Sequence, residues 1–268
     1  MLYLLSVRKL GLIASLLLGC ATQTPGVQRP APMTAPTDPE PFDELQVQCT
    51  GNLPCPAFVG VMIPDASVYD EQCTGTLVGP ELFLTAGHCL HPSIRSAGAD
   101  CQGHRIYFPS DEGVAPESAQ CDEVLAIALS PTDSITGPDF ALVSLTPSTQ
   151  RTSASILRQP PEPDDQVQIW GLLRMTPDRF EIRHQSCLAT TPERAAAHLG
   201  PSANEATWLE RCSIFPGHSG APVLDTDGRL RGLIHAGSEL FFAIGVMTRL
   251  PEAIITVQAG APPTAEHP

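Results

Sequence analysis

Apolar residues come in short runs along this chain, and glycine, proline or small polar residues break each run. Runs rich in β-branched or aromatic residues fall at 58–63, 76–78, 82–85, 105–108, 124–129, 140–145, 167–170, 180–182, 222–224 and 230–234. Short strands recurring between turn signals argue for an all-β fold. Helical periodicity is nearly absent; a short helix is expected at 192–199, in an insertion, and another at 251–257, closing the fold. Residues 146–165 are proline-rich and polar, so a joint between two β units is expected there.

Three of these runs end on residues that carry chemistry. Leu84-Thr85-Ala86-Gly87-His88-Cys89 places a histidine where a strand turns into a loop. Gly217-His218-Ser219-Gly220-Ala221-Pro222 places a serine in a glycine-flanked turn. A serine hydroxyl is a poor nucleophile until a base takes its proton, and histidine is the usual base. Such a pair needs a carboxylate to orient the imidazole and stabilise its charged form. Asp139 heads the apolar run Phe140-Ala141-Leu142-Val143, which would carry a carboxylate into a core. Asp133 is the competitor, but it lies among Ser, Thr, Gly and Pro and reads as a loop residue.

Together these segments resemble the motifs of the trypsin/chymotrypsin-like serine proteases. Residues 84–89 are similar to that family's histidine motif, 139–142 to its aspartate motif and 217–223 to its serine motif. The order is His, Asp, Ser, with gaps of 139 − 88 = 51 and 219 − 139 = 80 residues. The resemblance spans roughly 55 to 257, and it implies a chymotrypsin-like double six-stranded Greek-key β-barrel with a short C-terminal helix. It implies that Ser219 attacks the scissile carbonyl, His88 moves the proton and Asp139 orients His88. It also implies an oxyanion hole from the N–H groups of Gly217 and Ser219. Residues 73–78 are similar to the family strand whose cysteine bonds the one after the histidine, which implies Cys73–Cys89. Residues 232–238 and 245–249 resemble the strands that line and close the specificity pocket.

Two departures matter. His218 stands where the animal digestive enzymes carry an aspartate, and no activation cleavage signal precedes the strand at 57–63. Activity is therefore expected to be independent of a freshly cut N-terminus, with His218 a structural residue of the turn. The pocket set suggested by the resemblance is Ser213, His235, Ala236, Gly237 and Ser238. Ser213 with Ala236 and Gly237 disfavours a fixed negative charge and hence Lys/Arg specificity. Ile234-His235-Ala236-Gly237 is similar to the segment by which bacterial glutamyl endopeptidases read an acidic side chain, with Ser238 and Ser213 as hydroxyl neighbours. The alternative is a strand histidine that faces away or fills space near the triad.

The N-terminus carries an address. Arg8 and Lys9 precede an apolar run at 10–18, too short for a membrane span and shaped like a signal peptide over residues 1–19. Leu17-Leu18-Gly19-Cys20-Ala21 resembles a bacterial lipobox, so Cys20 is the expected lipidation site and the outer membrane the expected destination, with a secreted or periplasmic protein as the alternative. Residues 20–44 hold Pro25, Pro30, Pro32, Pro36, Pro39 and Pro41 and read as an extended tether. Residues 45–258 form the expected protease domain and 259–268 a short tail.

Composition narrows the partners. Formal charge is 15 − 29 = −14, which disfavours nucleic acid. No zinc-like ligand spacing or phosphate loop is present, so neither a metal nor another cofactor is expected. The expected partners are protein or peptide substrates and a lipid anchor, with the chain a monomer. Without Cys20, eight cysteines remain, an even number that fits disulfides in an exported protein. Cys187–Cys212 would tie down the segment before the serine loop; Cys49–Cys55 and Cys101–Cys121 follow from proximity in sequence. A non-catalytic binding module on the same fold is the competing class. An α/β-hydrolase is not, because its Gly-x-Ser-x-Gly elbow and Ser…Asp…His order are missing.

Overall fold

The computed structural model describes residues 46–64, 71–110, 115–129, 137–176, 179–194, 207–238 and 244–250. The signal peptide, the whole 20–44 tether, Asp133, most of the 192–199 segment and the closing helix at 251–257 lie outside them. The described residues form thirteen strands. Among the described residues helix is confined to 3-10 turns at Gly87–Cys89 and Pro92–Ile94 and one turn at 192–194.

The strands make two bodies. β1 (Gln46–Thr50) joins the second of them. The first is built from β2 (Val59–Pro64), β3 (Cys73–Gly79), β4 (Leu82–Thr85), β5 (His104–Phe108), β6 (Glu117–Ala128) and β7 (Phe140–Thr146). These close into a six-stranded barrel in the order β2-β3-β4-β7-β6-β5. Residues 147–165 lead to β8 (Gln166–Thr176), β9 (Arg179–Thr190), β10 (Thr207–Glu210), β11 (Pro222–Leu224), β12 (Leu230–Ser238) and β13 (Ile244–Arg249). Their order is β9-β10-β13-β12-β11-β8, and the β8–β9 hairpin closes the ring.

Consecutive residues explain why several runs are apolar without a break. Side chains alternate across a strand, and here both faces of many strands are covered. Met62, Phe83 and Val143 fill the first barrel. Their neighbours Val61, Leu84 and Leu142 face a shared layer with Trp170, Leu172, Leu224 and Leu233 of the second body. Ile169, Val223 and Ile234 then point into the second body. A strand buried on both sides shows no apolar–polar alternation in its sequence.

Three features differ from the expected double six-stranded arrangement. The second body has a seventh strand, β1, paired in parallel with β9 from Gln46↔Arg179 to Thr50↔Arg183. β10 was not expected from the apolar runs, although Trp208 and Leu209 in it are fully buried. β6, β8 and β9 extend well past their apolar cores, because backbone pairing continues where the side chains are polar, as at Arg174↔Phe180 and Trp170↔His184. Four disulfides brace the molecule: Cys49–Cys55, Cys73–Cys89, Cys101–Cys121 and Cys187–Cys212. They place the chain in an oxidising, extracytoplasmic setting. Among the described residues no helix is long and apolar enough to cross a membrane.

Candidate active site

His88 sits in the 3-10 turn that follows β4. The antiparallel pairing of β4 with β7 sets Thr85 opposite Ala141, which brings Asp139 beside that turn. Gly87 permits the approach: a Cβ there would lie 2.9 Å from the carbonyls of Ala128 and Phe140 and 3.0 Å from Asp139 Oδ1. The His88 backbone N–H donates to Asp139 Oδ1 at 3.0 Å, and its ring Nδ1 lies 2.5 Å from Asp139 Oδ2. One carboxylate thus holds both the main chain and the ring. The disulfide from Cys89 to Cys73 fixes the end of the turn. Arg95 ties its outer side, donating to the carbonyls of His88 (2.6 Å) and Leu90 (2.8 Å).

Ser219 lies on the loop between Cys212 and β11. Gly217 (φ +97°) and Gly220 (φ +79°) take backbone angles that side-chain-bearing residues rarely adopt. At Gly220 a Cβ would also collide with the Thr74 carbonyl and the Thr85 hydroxyl. The clamp on this loop is Thr74 of β3, from the other barrel. Its N–H donates to the Ser219 carbonyl (2.8 Å), and its hydroxyl donates to the Gly217 carbonyl (2.7 Å). The same hydroxyl accepts from Leu172 N–H (2.9 Å), and Thr85 donates to the Thr74 carbonyl (2.7 Å). With those carbonyls engaged, the N–H groups of Gly217 and Ser219 have no acceptor among the described residues.

The loop brings Ser219 Oγ to 2.8 Å from His88 Nε2. Asp139, His88 and Ser219 therefore form one continuous hydrogen-bonded chain. Burial works against a charged His88, but the hydrogen bond and charge of Asp139, helped by Glu71, outweigh it and raise its pKa above 6.5. Burial likewise opposes an ionised Asp139, and the hydrogen bonds and charge of His88 outweigh it, with His235 contributing, so its pKa falls below 3.8. Such a chain can take a proton from Oγ while the carboxylate stays ionised.

The remaining expected residues divide. His218 is 3% exposed and its ring lies against Gly171, where any Cβ would collide with it. It meets the Phe215 ring edge-on at 5.5 Å, its Nδ1 has no hydrogen-bond partner among the described residues, and burial lowers its pKa to about 4. It is a neutral packing group. Ser213 is exposed, and its backbone is bracketed by Gln185, which accepts from its N–H (2.9 Å) and donates to its carbonyl (2.7 Å). Gly237 is open to solvent and rests on Ile214, where a side chain would collide; Ala236 beside it is half-buried. The side chain of Ser238 lies outside the described residues.

His235, the residue expected to read a substrate carboxylate, lies on β12. It is 8% exposed, and its charge is felt at Asp139. The β12–β13 register shifts between Ile234 and Ala236, so His235 sits at an irregularity of the strand pairing.

The one cluster with metal-like proximity among the described residues is Cys73, His88 and Cys89. Both cysteines are spent in their disulfide, so no thiolate is present to bind an ion. Two residues near the site went unremarked in the sequence. Thr74 is hidden because its partners are far along the chain, 143 residues for Gly217. Glu71 Oε1 lies 3.7 Å from His88 Nε2, a proximity set by the β3–β4 pairing and the Cys73–Cys89 disulfide, which bring the start of β3 beside the His88 turn.

Residues 73–233, more than half the chain, match the family described as the trypsin-like peptidase domain. Among solved structures, an inactivated protease paralogue of the scabies mite superposes with a TM-score of 0.58 at 14% identity, covering 78% of this chain and 95% of that one. Mouse neuropsin, a serine protease expressed in the limbic system of the brain, gives 0.56 at 15% identity over 76% and 94%. A second inactivated scabies mite paralogue gives 0.57 at 16% over 76% and 93%. At these identities the likeness concerns the fold alone. No curated protein matches the chain. With the family match spanning the histidine, aspartate and serine segments alike, the chain belongs to the trypsin-like peptidase family.

Proposed function

We propose that this protein is an exported, membrane-tethered serine endopeptidase that cleaves peptide bonds through an acyl-enzyme intermediate. The observation that carries the reading is the unbroken chain Asp139 Oδ2–His88 Nδ1 (2.5 Å) and His88 Nε2–Ser219 Oγ (2.8 Å). Ser219 Oγ attacks the scissile carbonyl carbon as His88 Nε2 takes its proton. The C–N bond then breaks, and His88 returns that proton to the leaving nitrogen. Asp139 stays ionised throughout, in keeping with its lowered pKa. The N–H groups of Gly217 and Ser219 receive the developing oxyanion. Water repeats the sequence on the acyl-enzyme.

Export and tethering rest on the signal-like run at 10–18, Cys20 in its lipobox-like setting and four disulfides. Substituting Cys20→Ser moves the protein from the membrane to the soluble fraction; unchanged partitioning contradicts the tether.

A pseudoprotease is the second reading, favoured by the two inactivated paralogues among the structural neighbours. Incubation of the full-length chain with an unfolded protein such as casein separates the two. Peptide-bond cleavage that Ser219→Ala abolishes supports the protease, and equal digestion by both forms, or none by either, contradicts it.

A further inference from the structure

His88 is held through both of its peptide groups, by side chains of opposite charge. Its N–H donates to Asp139 Oδ1 at 3.0 Å, and its carbonyl accepts from Arg95 Nη2 at 2.6 Å. Arg95 Nε donates at the same time to the Leu90 carbonyl at 2.8 Å. One planar fork therefore grips the carbonyls on either side of Cys89, whose disulfide to Cys73 fixes the same turn. Arg95 reaches them because the chain doubles back through the 3-10 turn Pro92–Ile94. There Ile94 N–H donates to the His91 carbonyl (3.0 Å) and Ser93 N–H to His91 Nδ1 (3.3 Å). The turn that carries the histidine is short, Gly87–Cys89, and its two backbone bonds are both 3.2 Å long. A single 3-10 turn has poor hydrogen-bond geometry of its own, so the fork adds hold where the backbone supplies little.

Position matters at this residue because Nε2 must stay within reach of Ser219 Oγ, now at 2.8 Å. A misplacement of about 1 Å at such a centre can cost about 10²-fold in rate. Charge matters as well. Facing the imidazole are Asp139 just ahead of β7, Glu71 just ahead of β3, Ser219 from the serine loop and Arg95 from the loop after the turn, while His235 of β12 acts on Asp139. The two carboxylates make the ring easier to charge, and Arg95 makes it harder. Only a neutral imidazole can take the proton from Oγ.

Building on the protease reading, we propose that Arg95 is a positioning residue for His88: its fork onto the carbonyls of His88 and Leu90 keeps Nε2 in reach of Ser219 Oγ and sets a positive charge beside the imidazole. Asp139 holds the ring and the N–H side of the residue, and Arg95 holds its carbonyl side.

The test uses full-length protein in detergent. The rate at which a fluorophosphonate labels Ser219 is followed against pH, and kcat and KM are measured on a quenched peptide taken from a site that wild type cuts in casein. Arg95→Met loses both fork and charge. Its kcat should fall about tenfold with KM little changed. The acid limb of its labelling profile should move to higher pH, because the influence that opposes a charged His88 is gone. Arg95→Lys keeps the charge without the fork, so the limb should stay with wild type while kcat recovers only in part. Arg95→Gln keeps a donor without the charge, so its limb should move as in Arg95→Met. A residue that only stabilised its loop would lower the urea midpoint and leave the limb in place. An acid limb that ignores the charge at position 95, or a kcat that Arg95→Met leaves unchanged, overturns the inference. Should Arg95→Met not fold, the Lys and Gln variants carry the same comparison. Labelling also tells the failures apart. If wild type is labelled and the limb ignores position 95, only the role of Arg95 falls; if wild type is not labelled, the protease reading falls and takes that role with it.

Discussion

His88 and His218 are both shielded from water close to the same serine, yet their environments drive them in opposite directions. His88 belongs to the first barrel, on a turn between paired strands, with Asp139 bonded to its ring and its backbone. The carboxylate outweighs burial, and the imidazole is easier to charge than in water. His218 belongs to the loop of the second body, with Gly171 and Phe215 as neighbours and no partner for Nδ1. Burial acts alone there and keeps the ring neutral down to about pH 4. A partner turns a buried histidine into a base; without one it is packing.

The two regions also fix their side chains by different means. Register does it in the first barrel, since β4 against β7 leaves Asp139 little choice of position. In the second body the serine loop depends on two glycines with positive φ and on a clamp from outside, Thr74. One half is set by regular pairing within a barrel, the other by contacts between barrels.

The largest expected effect comes from unmaking the partnered histidine. Asp139→Asn keeps the shape but offers the wrong hydrogen-bond pattern to Nδ1, and kcat should fall about 10⁴-fold, the cost of that change in the well-studied triad of this family. The residual activity should also extend to lower pH, because the bond and charge that raise the His88 pKa are gone. A pH–rate profile measures both; a kcat within tenfold of wild type breaks the account of the first half.

Next is the unpartnered histidine. His218 has a folded pKa of about 4 against an ordinary 6.5, so between those values the unfolded chain binds a proton that the folded chain refuses. Stability is retained above pH 6.5 and lost as pH falls towards 4, by up to about 3 kcal/mol. Urea unfolding at pH 7 and pH 4.5 should show this loss, and His218→Leu should reduce it. Equal acid sensitivity in the variant contradicts the packing role. His88 has the reverse sign: its raised pKa stabilises the fold below pH 6.5, and that part is lost as pH rises through its folded value.

The smallest effect tests the clamp. Thr74→Val removes the hydroxyl that donates to Gly217 and accepts from Leu172. Unpaired buried groups cost about 1–3 kcal/mol each. With part of that felt in loop placement, kcat should fall about tenfold while KM changes little. An unchanged kcat means that the glycines alone hold the serine.

The same contrast separates what the sequence announces from what it conceals. His88, Asp139 and Ser219 sit in short local patterns, and the apolar runs mark the buried strands, so both can be read in order along the chain. The four disulfide pairs join cysteines at most 25 residues apart. Thr74 carries no such mark, because an isolated threonine in a strand tells nothing of a carbonyl 143 residues away. Glu71 approaches Nε2 only once the β3–β4 hairpin has formed. β1 is hidden for a similar reason: it pairs with a parallel edge on β9 far along the chain, and its alternating residues Gln46-Val47-Gln48-Cys49-Thr50 carry only small apolar side chains. The register shift at His235 is likewise unmarked, because bulges leave little trace in composition.

The central claim is that His88 and Asp139 make Ser219 a nucleophile, and covalent capture tests it most directly. Full-length protein treated with a fluorophosphonate and weighed intact should gain a single adduct, mapped by peptide sequencing to Ser219. Ser219→Ala should gain none, and His88→Ala should react far more slowly. An unlabelled wild type, or a Ser219→Ala variant labelled as readily, would contradict the account.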